Sequence, residues 1–141
     1  MRTSDDLDPL ELIGTWALAR QIVDRALDEH STVDGTTVLT LQPDGRVRWA
    51  ESGVLTRRDS AIPVSRVLFV EQRAGGWFVT FEDGRDFHPW APSTPVRHDC
   101  APDLYIGTLD RLDDDRWSVV WEVSGPGKDY TMTSILTRVA S

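Results

Sequence analysis

The stretch from Phe87 to Asp103, FHPWAPSTPVRHDCAPD, holds the densest set of side chains that could do chemistry. It contains two of the three histidines, the only cysteine and four of the eight prolines. Imidazole, thiol and carboxylate groups all suit zinc. The potential ligands are His88, His98, Cys100 and Asp103. Their spacing, His-x9-His-x-Cys, matches no common zinc site, so we predict no bound metal.

Acid–base catalysis is a second use for this stretch. A histidine changes its charge near neutral pH, a neighbouring carboxylate fixes its tautomer, and a tyrosine hydroxyl can donate to an oxyanion. The candidate catalytic residues are His88, His98, Asp103 and Tyr105. A nucleophilic Cys100 activated by His98 is a third possibility, although two residues along a strand span about 6.6 Å, too far for a direct hydrogen bond.

The stretch also fits a purely structural interpretation. Its prolines lower the conformational entropy of the chain, its His and Asp side chains can cap backbone groups, and Cys100 can pack as a small hydrophobic residue. About a dozen residues here lack a strand pattern, which predicts a long loop, and such loops often form lids or binding walls. The sequence leaves these interpretations open.

The segments around this stretch predict β-strands. From Gly35 onward, short runs rich in β-branched and aromatic residues alternate with turn residues, as in TTVLTLQ, Pro43-Asp44-Gly45 and RVRWAES. About eight or nine strands in consecutive hairpins, without a crossover helix, predict an antiparallel up-and-down barrel or a sandwich. Pro126-Gly127 predicts a type II turn before the last strand.

The N-terminal residues carry mixed signals. Leu10 and Ile13 continue a helical spacing that Pro9 would open well. Yet Gly14-Thr15-Trp16 resembles the Gly-x-Trp signature that opens the first strand of lipocalin-type (calycin) barrels. Arg138 resembles the basic residue that packs across that Trp. A cation over an indole face would close the barrel where its first and last strands meet.

A further resemblance covers most of the chain, from about Trp16 to Arg138. FEDGRDFH, RHDCAPDLY and GPGKDYTM are similar to recurring motifs of a small bacterial family, domain of unknown function 6314. The resemblance implies an all-β, calycin/lipocalin-like barrel and no particular reaction. We therefore predict a short N-terminal helical segment within residues 1–13 and a single β-barrel domain over residues 14–141.

Strand alternation places charged side chains inside such a barrel. Arg20 shares a face with Trp16, Glu51 shares one with Trp49, and Arg66 extends an apolar face. Buried charges must be paired, so these groups form either a guanidinium anchor for a ligand carboxylate or enol oxygen, or a structural ion pair across the barrel. The candidate ligand-binding residues are Arg20, Trp49, Glu51, Arg66, Cys100, Trp121, Lys128 and Tyr130.

Composition excludes several kinds of partner. The net charge is −8 and the 15 basic residues are scattered, so the surface repels nucleic acid and anionic lipid. A single cysteine, an acidic N-terminus and the lack of an apolar run of about 18 residues predict a cytoplasmic protein. No nucleotide motif indicates a cofactor.

The sequence most directly predicts a barrel that binds one small, partly apolar organic ligand, with polar groups at its mouth. The alternative is a cofactor-independent isomerase, lyase, cyclase or hydrolase that uses histidine acid–base chemistry on a small substrate in the cavity. A protein-binding module, the third possibility, would expose a large apolar patch and have no cavity. Whether two chains pair as a homodimer stays open.

Overall fold

The computed structural model describes residues 7–140, and their strands form one antiparallel sheet. Residues 1–6 of the predicted N-terminal segment, and Ser141 of the predicted barrel domain, lie outside the described residues. The ten strands are β1 Gly14–Asp24, β2 Glu29–Leu41, β3 Val47–Arg57, β4 Ser60–Arg73, β5 Gly76–Phe81, β6 Asp86–Pro89, β7 Val96–Cys100, β8 Asp103–Asp113, β9 Arg116–Gly125 and β10 Lys128–Arg138. No helix within residues 7–140 is long and apolar enough to cross a membrane.

The strands follow one another up and down around a nearly closed barrel, which confirms the predicted fold. The hydrogen-bonded order runs from β6 through β1 and β10 to β7, so the first strand pairs with the last. Strands β6 and β7 meet without a backbone ladder; we call this junction the seam. At the seam the Nδ1 atom of His98 lies 3.1 Å from the Phe87 carbonyl oxygen.

Part of the predicted long loop is a strand. Val96–Cys100 forms β7, and only the six residues from 90 to 95 connect it to β6. The expected count of eight or nine strands was therefore short by at least one. The predicted type II turn at Pro126-Gly127 is also wrong, because Gly127 is not among the glycines with positive φ.

One end of the barrel is closed by tryptophan side chains; we call it the floor. The indoles of Trp16, Trp49, Trp90 and Trp117 pack there at centroid distances of 5.5–6.2 Å. A 3₁₀ turn over Pro9–Leu12 covers this end, and Trp16 Nε1 donates to the Leu12 carbonyl at 2.8 Å. The short N-terminal helical segment is thus confirmed as a single turn.

The predicted cation–indole contact is present at the floor. The Arg138 guanidinium lies 4.3 Å from the centroid of the Trp16 ring, and the two residues are register partners on β10 and β1. The contact joins the first strand to the last where the barrel closes. The opposite end, bounded by the β1–β2, β3–β4, β5–β6, β7–β8 and β9–β10 turns, is the mouth.

Candidate ligand-binding site

A cavity of about 110 Å³ lies inside the barrel, against strands β1 to β4 and β10. Apolar side chains form one part of its wall and charged or hydroxyl groups the other. The lining residues are Leu18, Arg20, Val33, Glu51, Ser52, Gly53, Val64, Ser65, Arg66 and Met132. The cavity therefore combines apolar area with a few converging polar groups, as small-molecule sites do.

Two glycines shape this cavity where β2 and β3 pair closely. Gly35 and Gly53 are register partners, and a Cβ atom on Gly35 would collide with the Ser52 carbonyl oxygen. A Cβ on Gly53 would lie 2.6 Å from the Asp34 carbonyl oxygen. Only glycine permits this close backbone approach, and it leaves the cavity wall at Gly53 without a side chain.

Arg20, Glu51 and Arg66 meet in the cavity, as strand alternation predicted. Arg20 Nη2 donates to both carboxylate oxygens of Glu51, at 3.0 and 3.2 Å. Arg66 Nη2 donates to Glu51 Oε1 at 3.2 Å from the opposite position on β4. Arg20 Nε donates to Ser134 Oγ at 2.7 Å, which fixes the plane of its guanidinium.

Glu51 is ionised in this arrangement. Burial acts to raise the pKa of its carboxyl group, but the guanidinium groups of Arg66 and Arg20 outweigh burial and hold the pKa below its ordinary value. The Glu51 side chain is only 5% exposed, so its charge depends on these partners. Two cations facing one anion leave the cavity with a net charge of +1.

A second polar group lies at the mouth, on strands β8 and β10. Lys128 Nζ is 3.0 Å from Asp103 Oδ2 and donates to the Tyr105 hydroxyl at 3.2 Å. The Asp103 carboxylate and the Tyr105 hydroxyl raise the pKa of Lys128. Burial, together with a hydrogen bond to Tyr105, raises the pKa of Tyr130 to about 12. These four side chains form one hydrogen-bonded group, with a cation at the rim.

His88 and His98 lie beside the seam in a cluster of rings that we call the aromatic wall. Its members are Phe87, His88, His98, Tyr105 and Trp121. His88 is 2% exposed, its Nδ1 lies 2.8 Å from the Pro89 carbonyl oxygen, and burial lowers its pKa to about 4. The Phe87 ring stacks on Trp121 with centroids 5.2 Å apart. The His98 ring lies 5.9 Å from the Tyr105 ring. The Nδ1 atom of each imidazole pairs with a backbone carbonyl oxygen. In neither of these contacts is the partner a carboxylate that would orient the histidine for catalysis.

The remaining predicted residues lie apart from the cavity. Trp49 packs in the floor, Trp121 in the aromatic wall, and Cys100 is exposed at the end of β7. Within residues 7–140 no group of three or more His, Cys, Asp or Glu side chains is arranged to hold a metal ion. The candidate catalytic residues His88 and His98 lie in the aromatic wall and Asp103 and Tyr105 at the mouth, and the rings of His98 and Tyr105 lie 5.9 Å apart where the two groups meet.

Sequence reasoning missed Ser134 and Met132. Both point into the barrel from β10, where Met132 lines the cavity and Ser134 accepts from Arg20. Alternation along the last strand would have identified them, because Tyr130, Met132 and Ser134 share the face of Arg138.

The fold and the cavity define a lipocalin-like barrel. The chain belongs to the Family of unknown function (DUF6314), whose model matches residues 12–138, and the predicted resemblance is confirmed. None of the curated proteins matches the chain.

Solved structures with the same fold are distant in sequence. One is the S-type phycobiliprotein lyase from Guillardia theta, with 13% identity, a TM-score of 0.63, and 94% of this chain and 91% of that chain covered. A de novo designed fluorescence-activating β-barrel has 15% identity, a TM-score of 0.51 and coverages of 93% and 96%. A redesigned β-barrel bound to DFHBI has 13% identity, a TM-score of 0.50 and coverages of 91% and 99%. At these identities the similarity concerns the fold.

Proposed function

We propose that this protein binds one small, partly apolar organic molecule in the cavity between Arg20, Glu51 and Arg66. The observation that carries the proposal is the joining of a charged triad to apolar walls inside one barrel. Leu18, Val33 and Met132 would contact the apolar part of the ligand. The triad would orient its polar part, since a few fixed polar groups give such sites their specificity.

The size of the cavity limits what it encloses. At about 110 Å³ it is smaller than the ~150 Å³ apolar cavity that admits benzene. A ligand with even one aromatic ring would therefore extend toward the mouth. There Tyr105, Lys128 and Tyr130 would offer it hydroxyl and ammonium groups.

Solved structures with a similar fold support a binding role. The redesigned barrel is bound to the small molecule DFHBI, and the Guillardia theta protein is a phycobiliprotein lyase. Both are consistent with small-molecule binding by a barrel of this kind. The acid–base alternative has weaker support, because His88 and His98 pair with backbone carbonyls and lie in the wall beside the cavity.

Blocking the cavity tests the proposal. Val64 lines it, so Val64→Trp would place an indole in the space a ligand needs. Titration with the neutral fluorescent probe N-phenyl-1-naphthylamine should give saturable binding to the wild type. The variant should bind about tenfold more weakly or worse, a loss of about 1.4 kcal/mol.

The matched control is Val54→Trp on the neighbouring strand. Val54 is 45% exposed and is absent from the cavity lining, so the same substitution adds an indole outside the barrel. It should bind the probe as the wild type does. Equal binding by wild type and Val64→Trp, or no saturable binding to either, would overturn the proposal.

A further inference from the structure

The cavity carries one more positive than negative charge. Among its lining residues the ionisable side chains are Arg20, Arg66 and Glu51. His88, whose charge interacts with Arg66, has its pKa lowered to about 4 by burial and is neutral at pH 7. Among the described lining residues the surplus cation has no further counter-ion. A partly desolvated charge of this kind favours a ligand that supplies the opposite charge.

The two arginines differ in how fully they are used. Arg20 is held on two sides, by Ser134 and by both oxygens of Glu51, and its side chain is 15% exposed. Arg66 makes one hydrogen bond among the described residues, from Nη2 to Glu51, and is 36% exposed. A guanidinium carries five N–H donors, so Arg66 retains most of its donors. Arg20 acts as a positioning residue, and Arg66 is the arginine free to bind.

Acidic groups also lie near Arg66 outside the cavity, but none of those described forms an ion pair with it. Arg66 also borders a depression toward the mouth, together with Glu82, Asp83 and Arg85. Asp83 is paired with Arg85 at 2.7 Å, and the described ion pairs of Arg66 are limited to Glu51. The overall charge of −8 opposes anions at long range, but salt screens that field within about 8 Å. For an anion inside the cavity, the attraction of the nearby guanidinium therefore outweighs the repulsion from the overall negative charge.

We infer that the ligand of this cavity is a small organic monoanion, with a carboxylate or enolate oxygen bound by the Arg66 guanidinium. This inference rests on the proposed binding function and adds the chemical class of the ligand. Arg20 holds the Glu51 side chain in place, and the Glu51 carboxylate in turn positions Arg66 through their hydrogen bond. The apolar walls at Leu18, Val33 and Met132 receive the rest of the molecule.

Three ligands with one carbon skeleton test the charge preference. These are 4-phenylbutyrate, its neutral primary amide 4-phenylbutyramide, and the cation 4-phenylbutylammonium. Their affinities are measured by NMR titration of the cavity methyl groups of Leu18, Val33 and Met132, with N-phenyl-1-naphthylamine as an independent neutral probe. The acid should bind about tenfold or more tightly than the amide, because a hydrogen bond to a charged group contributes more than a neutral one.

The variant Arg66→Gln removes the proposed anion anchor and leaves the other lining residues of the cavity unchanged. It keeps a polar side chain but removes the charge, so the acid should lose about tenfold in affinity relative to the amide, and its preference over the amide should disappear. Arg97→Gln is the matched control, since Arg97 pairs with Asp99 on the exposed face of β7. It changes the net charge equally and should leave the preference for the acid intact.

Each outcome separates the two proposals. If the amide or the amine binds as tightly as the acid, or if Arg66→Gln keeps the preference, the inference is wrong and the binding function stands. If the neutral probe binds and the acid does not, the result is the same. If neither the probe nor any of the three ligands binds, the proposed function itself fails.

Discussion

At the scale of single residues, the burial of His88 makes the stability of the fold depend on pH. It is buried in the aromatic wall, and burial lowers its pKa from 6.5 to about 4. As the pH falls below 6.5 the unfolded chain takes up a proton there, whereas the folded chain does so only near pH 4. Stability is therefore lost between pH 6.5 and 4, by about 2 kcal/mol at pH 5.

Urea unfolding at pH 7.5 and pH 5 measures this effect in the wild type and in His88→Gln. The variant should lose less stability than the wild type over this interval, by about 2 kcal/mol, whatever its stability at pH 7.5. The surface variant Thr40→Gln is the control and should lose as much as the wild type, because Thr40 is exposed and its replacement leaves His88 in place. An identical pH dependence in all three proteins would show that His88 does not titrate as its burial requires.

At the scale of elements, β8 and β9 are matched through one glycine. Gly107 faces Trp121 in the register, and a Cβ on Gly107 would lie 2.7 Å from the indole. The indole cannot give way, because it is 5% exposed and stacks on Phe87. Gly107→Ala should therefore lower the free energy of unfolding by about 1–3 kcal/mol.

Gly127→Ala is the control for this prediction, since nothing lies within 4 Å of its added Cβ. Its effect on urea unfolding should stay within about 0.5 kcal/mol. Equal stabilities of the two variants would mean that the indole of Trp121 moves freely, contrary to its packing.

Alternation predicted most elements and part of the site. Trp16, Arg20 and Glu51 point inward because they lie on long strands with period-2 patterns, and parity alone places them. β7 was missed because its five residues, VRHDC, are mostly polar and pair on one side only, with β8. The grouping of Lys128 with Asp103 and Tyr105 depends on the registers of β8, β9 and β10, which no local pattern specifies.

At the scale of the whole molecule, the barrel is closed unequally around its circumference. β1 and β10 share nine register pairs, so the chain ends are tied together by a full ladder. The seam joins β6, of four residues, to β7, of five, without such a ladder. A weak junction opposite a strong one makes the seam the place where the barrel opens first, because local opening begins where few backbone hydrogen bonds cross.

Native-state hydrogen exchange tests this order of opening. Amides of β6 and β7 should exchange faster than those of β1 and β10, because the seam opens without global unfolding. His98→Ala removes the contact between Nδ1 and the Phe87 carbonyl, so it should speed exchange in β6 and β7 further while leaving β1 unchanged. His30→Ala, on the exposed face of β2, should change neither region. Uniform protection of all four strands would instead mean that side-chain packing across the seam closes the barrel as firmly as a ladder does.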